Sequence, residues 1–149
     1  MTERPRILIV EDEDAIATGL RFNFEAEGYQ PIVLSDGPST LNYFDEHPQG
    51  VDLVVLDLML PGMSGYEICR AIRDRDMRIP IIVLSARTLS EDKSHAFDCG
   101  TDQYVTKPFA LPELLSRVRN LLKRTRQIEQ VFQSSQRDDY HFGNVQVNF

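Results

Sequence analysis

Five side chains in this 149-residue sequence stand where apolar runs end, and their types belong together. Ile7–Val10 runs directly into Glu11 and Asp12, Leu53–Leu56 ends on Asp57, and Ile81–Leu84 ends on Ser85. A shorter run, Tyr104-Val105, is cut off by Lys107-Pro108. A short apolar run bounded by turn residues reads as a buried strand, and an open parallel sheet binds its ligands outside the carboxyl ends of such strands. Three carboxylates at one rim repel unless a cation joins them. An all-oxygen set with at least two carboxylates suits a hard ion such as Mg²⁺ or Mn²⁺, and Mg²⁺ takes only part of its shell from protein. Add a carboxylate nucleophile, a hydroxyl donor and a fixed ammonium, and the rim has what phosphoryl transfer requires: positioning, a divalent ion, and donors on the equatorial oxygens. Asp57 is the group this rim is built to modify.

The elements between these runs are helical. Ile16, Leu20 and Phe24 recur at four-residue spacing, with Asp14 as the expected cap and Gly28 as the stop. Ile32–Leu34 is a second strand, and Ser39 is the expected cap of a helix that carries Leu41 and Phe44 and stops before Pro48. A helix starting near Ser64 carries Tyr66, Ile68, Cys69 and Ile72 and gives way near Asp76. The polar stretch Arg87–Cys99 has a thin apolar face and is expected to be the least firmly packed helix. Leu111, Leu114, Leu115, Val118, Leu121 and Leu122 mark the last helix, with Pro112 in its first turn. Five strands alternating with five helices predict an α/β, doubly wound, five-stranded parallel sheet with helices on both faces. Right-handed crossovers and this chain length favour the flavodoxin-like order 2-1-3-4-5. In that order the first and third strands are neighbours, which brings Glu11, Asp12 and Asp57 to one rim.

Composition narrows the class. With 42% hydrophobic and 26% charged residues, the chain is globular. A net charge of −7 argues against a nucleic-acid-binding surface on this domain. No run is long enough to span a membrane and the N-terminus has no signal-peptide pattern, so a cytoplasmic protein is expected. Cys69 and Cys99 are far apart in sequence, outside any CxxC, with no resolving thiol near either, and read as packing cysteines. The domain is expected over 1–125. A polar linker follows over 126–139, and 140–149 regains strand alternation around a Gly-Asn turn, as the opening of a second domain.

The motifs LIVEDE, LVVLDLMLPGMSG, IVLSA and DQYVTKPF, in this order and spacing, resemble a response-regulator receiver domain over roughly residues 5–125. The last helix and the YHFG…V.V ending resemble the OmpR/PhoB branch, whose members attach a winged-helix DNA-binding domain. The resemblance implies that Asp57 accepts a phosphoryl group from a sensor histidine kinase. It implies Mg²⁺ held by Glu11, Asp12 and Asp57 and by the backbone carbonyl of Met59. It implies that Ser85 bonds a phosphoryl oxygen while Tyr104 turns inward behind it. Lys107 is implied to pair with Asp57 or its phosphate across a cis Lys107–Pro108 bond. It further implies a symmetric dimer through the fourth helix, fifth strand and fifth helix. Lys93 pairs there with Glu113 and Asp98 with Arg119, around Phe97, Leu114 and Leu115. Two positions depart from the branch: Gln103 replaces an acid that would pair with Arg117, and Ser94 replaces an aliphatic residue. Each exposed pair contributes at most ~1 kcal/mol, so a weaker dimer is expected. DNA contact is expected only through the attached domain.

Two other functions compete. A stand-alone receiver, acting as a phosphorelay shuttle or protein-binding module, fits the rim but not the linker and strand-like ending. An aspartyl phosphatase acting on small molecules would need a second acid two residues after the nucleophile for proton transfer, and Met59 stands there. Each site residue also has an ordinary reading: acids favour helix N-termini, a serine can end a strand, and Tyr104 can be a packed aromatic. Glu13 and Asp14 read as capping and solvent charge. The convergence at one rim favours function over these. Met59 and Arg87 lie where they can help or hinder an attacking water; neither is a base, so a long-lived phosphoryl group is expected.

Overall fold

A computed structural model describes residues 4–86 and 90–125. The sheet is all parallel, in the order β2-β1-β3-β4-β5. Its strands are β1 (Arg6–Val10), β2 (Gln30–Leu34), β3 (Leu53–Asp57), β4 (Ile81–Ser85) and β5 (Gln103–Thr106). The helices are α1 (Asp14–Ala26), α2 (Gly37–Glu46), α3 (Gly65–Arg75), α4 (Ser90–Asp98) and a last one, α5, described over 111–125. No helix among the described residues is long and apolar enough to cross a membrane.

The central strands are apolar throughout because both faces are covered. Leu8, Val10, Val54, Leu56, Ile81 and Val83 point to one side and pack with Ile68, Cys69 and Ile72 of α3, with Leu41 and Phe44 of α2 against them. Ile7, Ile9, Leu53, Val55, Ile82 and Leu84 point to the other and pack with Leu20 and Phe24 of α1 and Leu114, Val118 and Leu121 of α5. This alternation is the period of two that a strand imposes. α4 is the exception among the helices: Ala96 is its single buried residue, in line with the thin apolar face of its sequence.

Two helix starts differ from expectation. Asp14 lies inside α1; Glu13 is the N-cap residue and makes no side-chain cap bond. Asp36, not Ser39, caps α2: its carboxylate accepts the Ser39 N–H at 2.7 Å, and the helix starts two residues before Ser39. Asp and Ser cap about equally well, so the extended backbone at Asp36 set the cap there, and Pro38 in the first turn loses no hydrogen bond. α3 starts as expected, with a capping box between Ser64 and Glu67. The expected linker and terminal strands over 126–149, and Arg87, lie outside the described residues.

One arginine ties the lower end of the sheet together. Arg73, near the end of α3, donates to the carbonyls of Gly100 (2.8 Å), Asp76 and Ile79, and to the Asp102 carboxylate at 2.9 Å. Asp102 also accepts the first N–H of β4, from Ile81, at 2.7 Å. Bonds to charged groups contribute about 1.5–3 kcal/mol each when they cannot be replaced by water. Arg73→Met is therefore expected to lower stability by about 2–4 kcal/mol, read as a fall in urea midpoint at unchanged m-value.

Candidate functional site

The site is set by register. Val10 pairs with Leu56, so the next residues, Glu11 and Asp57, stand side by side at the ends of β1 and β3. Ser85 pairs with Thr106 across β4 and β5, and the Ser85 carbonyl accepts the Lys107 N–H at 2.8 Å. That bond holds the backbone from which the Lys107 side chain reaches back over the rim. The Lys107–Pro108 peptide is cis.

The ammonium of Lys107 bridges the two buried acids. Its Nζ lies 3.1 Å from Glu11 Oε1 and 3.1 Å from Asp57 Oδ2. The remaining oxygens accept backbone N–H groups: Glu11 Oε2 from Glu13 at 3.2 Å, and Asp57 Oδ1 from Met59 at 2.9 Å. Glu11 is 2% and Asp57 3% exposed, whereas Asp12 is open to solvent. Among the described residues no buried side-chain polar atom lacks a hydrogen-bond partner. Ligand oxygens of Glu11, Asp12 and Asp57 all lie within 4.8 Å of one another.

The electrostatics record burial first and the crowding of acids second. Burial pushes the Glu11 carboxyl up to about 7, and the hydrogen bond and charge of Asp57 add to the shift. Burial works against the Lys107 ammonium, but its bonds to Glu11 and Asp57 outweigh that and hold its pKa above the usual lysine value. Three carboxylates with one ammonium leave room for a divalent cation, and the donors are all hard oxygens.

The structure adds one acid to the rim. Glu13 Oε1 lies 3.8 Å from Lys107 Nζ, so its carboxylate leans on the ammonium instead of capping α1. Ser85 is buried at the end of β4. Tyr104, opposite Val83 in β5, is half-buried, with the Lys93 ammonium 5.8 Å from its ring centre. The Met59 side chain is 52% exposed beside the rim.

The expected dimer face divides. Lys93, Phe97 and Asp98 lie on α4, with Phe97 half exposed. Leu114 needs correction. It is fully buried among Leu84, Val105 and Val118, so it packs this chain's own core and has no surface to offer a second copy. Leu115 is half-buried. Glu113 pairs with Arg117 at 2.8 Å within α5, and Arg119 pairs with Glu27 at the end of α1 at 3.3 Å. Arg117 also donates to the side-chain oxygen of Gln103 at 2.7 Å, so a hydrogen bond to a neutral acceptor stands where the acid would make an ion pair.

The response regulator receiver domain model matches residues 7–119. The chain belongs to the response-regulator receiver family. It is 45% identical over 118 residues to the sensory transduction protein RegX3 of Mycobacterium tuberculosis, covering 79% of this chain and 51% of that one. It is 42% identical over 125 residues to the phosphate regulon transcriptional regulatory protein PhoB of Rhizobium meliloti, covering 82% of this chain and 54% of that one. The chain thus spans about half the length of the curated relatives it matches. Among solved structures, the receiver domain of a Francisella response regulator aligns with TM-score 0.75 at 34% identity, over 82% of this chain and 99% of that one. The receiver domain of a Pseudomonas aeruginosa sensor histidine kinase aligns with TM-score 0.72 at 28% identity, over 81% of this chain and 99% of that one. That structure has a magnesium ion coordinated in its active-site cleft. The expected fold, strand order and family relation to the OmpR/PhoB regulators are those found.

Proposed function

We propose that the domain is the phosphoacceptor of a two-component transcription regulator, with Asp57 as the acceptor and a sensor histidine kinase as the donor. The observation that carries this is the junction of Glu11, Asp12, Asp57 and Lys107 at one rim, with a single ammonium spanning two buried carboxylates. A carboxylate oxygen of Asp57 attacks phosphorus, and the bond from phosphorus to the donor nitrogen breaks with its electron pair leaving on the donor. Glu11, Asp12, Asp57 and the Met59 carbonyl are the groups that would hold Mg²⁺ or Mn²⁺; bound there, the ion neutralises charge on the transferring group. Lys107 moves from pairing the Asp57 carboxylate to pairing the phosphate, and the Ser85 hydroxyl donates to a phosphoryl oxygen.

Among the described residues Lys107 is the ammonium bonded to the rim acids, so an added charge of about −1.5 to −2 pulls on it and on Ser85, and that pull is carried to β5 and α4. Tyr104 moves inward, and the face made by α4, β5 and α5 pairs with a second copy through Lys93, Phe97, Asp98, Glu113, Leu115 and Arg119. The intramolecular pairs of Glu113 and Arg119 compete with this and keep the dimer weak without phosphate. Control of transcription belongs to a longer protein, of the kind that the transcriptional regulatory protein PhoB represents.

The test is acetyl phosphate with and without Mg²⁺, read by intact mass. One phosphate adduct that requires Mg²⁺ and maps to Asp57 is expected; no adduct under either condition overturns the reading. The adduct is also expected to last minutes or longer after the donor is removed. Met59 supplies no base for the attacking water, and decay within seconds would contradict that.

A further inference from the structure

The phosphoryl-transfer reading leaves both cysteines unused, and the fold brings them together. Cys69 lies in the middle of α3 and Cys99 just past the end of α4, both buried. The Cys69 thiol donates to the carbonyl oxygen of Cys99 itself at 3.4 Å. The Arg70 guanidinium donates to the Cys99 sulfur, also at 3.4 Å. Cys99 forms part of the wall of a surface groove between α3 and α4, along with Tyr66, Arg70 and His95; Cys69 does not. The two thiols therefore have different environments. Both belong to one buried cluster, and Cys99 alone of the two also borders the groove.

We propose that Cys99 is a site of oxidation by a hydroperoxide, with Cys69 as its resolving thiol, giving a Cys69–Cys99 disulfide that ties α3 to the end of α4. The thiolate is the reactive form of any cysteine, and the groove with Arg70 on its wall is the route by which a peroxide reaches Cys99. The Cys99 thiolate attacks the outer peroxide oxygen; the O–O bond breaks, and with hydrogen peroxide the leaving hydroxide takes up a proton as water. Cys99 becomes a sulfenic acid. Cys69 sulfur then attacks the Cys99 sulfur, the S–O bond breaks, and the thiol proton leaves with the hydroxyl as a second water. The two thiols lose two electrons and the peroxide gains them.

The order of events follows from the environments. Burial pushes the Cys69 thiol up to about 11, so it does not compete for peroxide and acts on the neighbour whose carbonyl oxygen it already bonds. The consequence falls on the helix with the least holding it. Besides Ala96, α4 is held to α3 through Tyr66, whose hydroxyl donates to the Asp92 carbonyl at 3.4 Å and whose ring meets the His95 ring edge-on at 4.1 Å between centres. A covalent link at residue 99 fastens this helix to α3 beside the turn at Gly100.

The experiment oxidises the reduced full chain with one equivalent of hydrogen peroxide, then measures intact mass, alkylates and maps peptides without reductant. Expected is the loss of two hydrogens, protection of both cysteines from alkylation, one cross-linked peptide carrying Cys69 and Cys99, and full reversal by dithiothreitol. Cys69→Ala should stop at a Cys99 sulfenic acid that dimedone traps, and Cys99→Ala should leave Cys69 unreacted. Two unreacted thiols while added glutathione is consumed would overturn the proposal. So would a disulfide between chains only, or a sulfenic acid on Cys69 in place of Cys99. The wild-type arm needs no substitution, so a folding defect in a variant does not remove the test.

Discussion

Asp57→Asn is expected to abolish phosphoryl uptake completely and, in metal-free protein above neutral pH, to raise stability. The first effect is chemical: an amide oxygen at this site is not a nucleophile toward phosphorus. The second follows from the crowded rim. Asparagine keeps the acceptor for the Met59 N–H and removes a charge that lies beside Glu11. Glu11 has a folded pKa of about 7 against an ordinary 4.5. A raised carboxyl pKa means the native state holds its proton more tightly than the unfolded chain. The stability this gives is fully present below pH 4.5 and is lost as pH rises through about 7. At roughly 1.4 kcal/mol per unit, the loss across that window is at most about 3 kcal/mol. Burial is the largest cause and stays in the variant, so the variant's curve is flatter, not flat. Urea melts of both proteins with a chelator, at pH 5.5 and pH 8, read this directly as an approximate convergence at the lower pH. A variant no more stable than wild type at pH 8 would show that Lys107 already offsets the repulsion.

Mg²⁺ provides a companion measurement on the wild type. If the divalent ion occupies these carboxylates, adding it at pH 8 removes the same repulsion, and stability rises with its concentration as for any ligand of the native state alone. The gain should shrink toward pH 5.5, where a proton on Glu11 competes for the same oxygens. Equal gains at both pH values would place the ion elsewhere.

What could be read from the chain alone was whatever a strand end displays. Strands covered on both faces appear as unbroken apolar runs, so β1, β3 and β4 could be located, and the polar residue that stops each run is by construction at the rim. Glu11, Asp57, Ser85 and Lys107 were legible for that reason. Leu114 has the i, i+3, i+4 spacing of a packed helix face and lies in the core, where the resemblance had placed it on a dimer face. Groups that meet only through the fold were hidden. Cys69 and Cys99 are thirty residues apart, and Arg73 reaches carbonyls that no side-chain motif records. Capping failed at Asp36 and Ser39 because both are good caps three residues apart, and only backbone geometry decides between them.

Gly65→Ala is expected to destabilise by more than the usual overpacking cost of about 1–3 kcal/mol, and to slow phosphoryl uptake in whatever folded protein remains. Gly65 is the first residue of α3, and its N–H donates to the Leu58 carbonyl at 3.1 Å, closing the loop that follows Asp57. A methyl group there would collide with the Cα of Leu58 and lie 2.8 Å from the Asp57 carbonyl oxygen. These are backbone atoms, so no rotamer change relieves the clash. Either α3 moves away from β3, opening the packing of Ile68 and Ile72, or the segment Asp57–Met59 moves and the Met59 N–H leaves the acceptor carboxylate. The first costs stability and the second costs function, and thermal melts with acetyl phosphate kinetics separate them. Gly19→Ala is the control, because an added methyl meets nothing within 4 Å there and the residue lies inside α1. That change should stabilise by about 0.5–1 kcal/mol through helix propensity and leave uptake unchanged. Opposite signs from the same chemical substitution would show that Gly65 is required by the close approach of α3 to the acceptor loop, and not by backbone freedom.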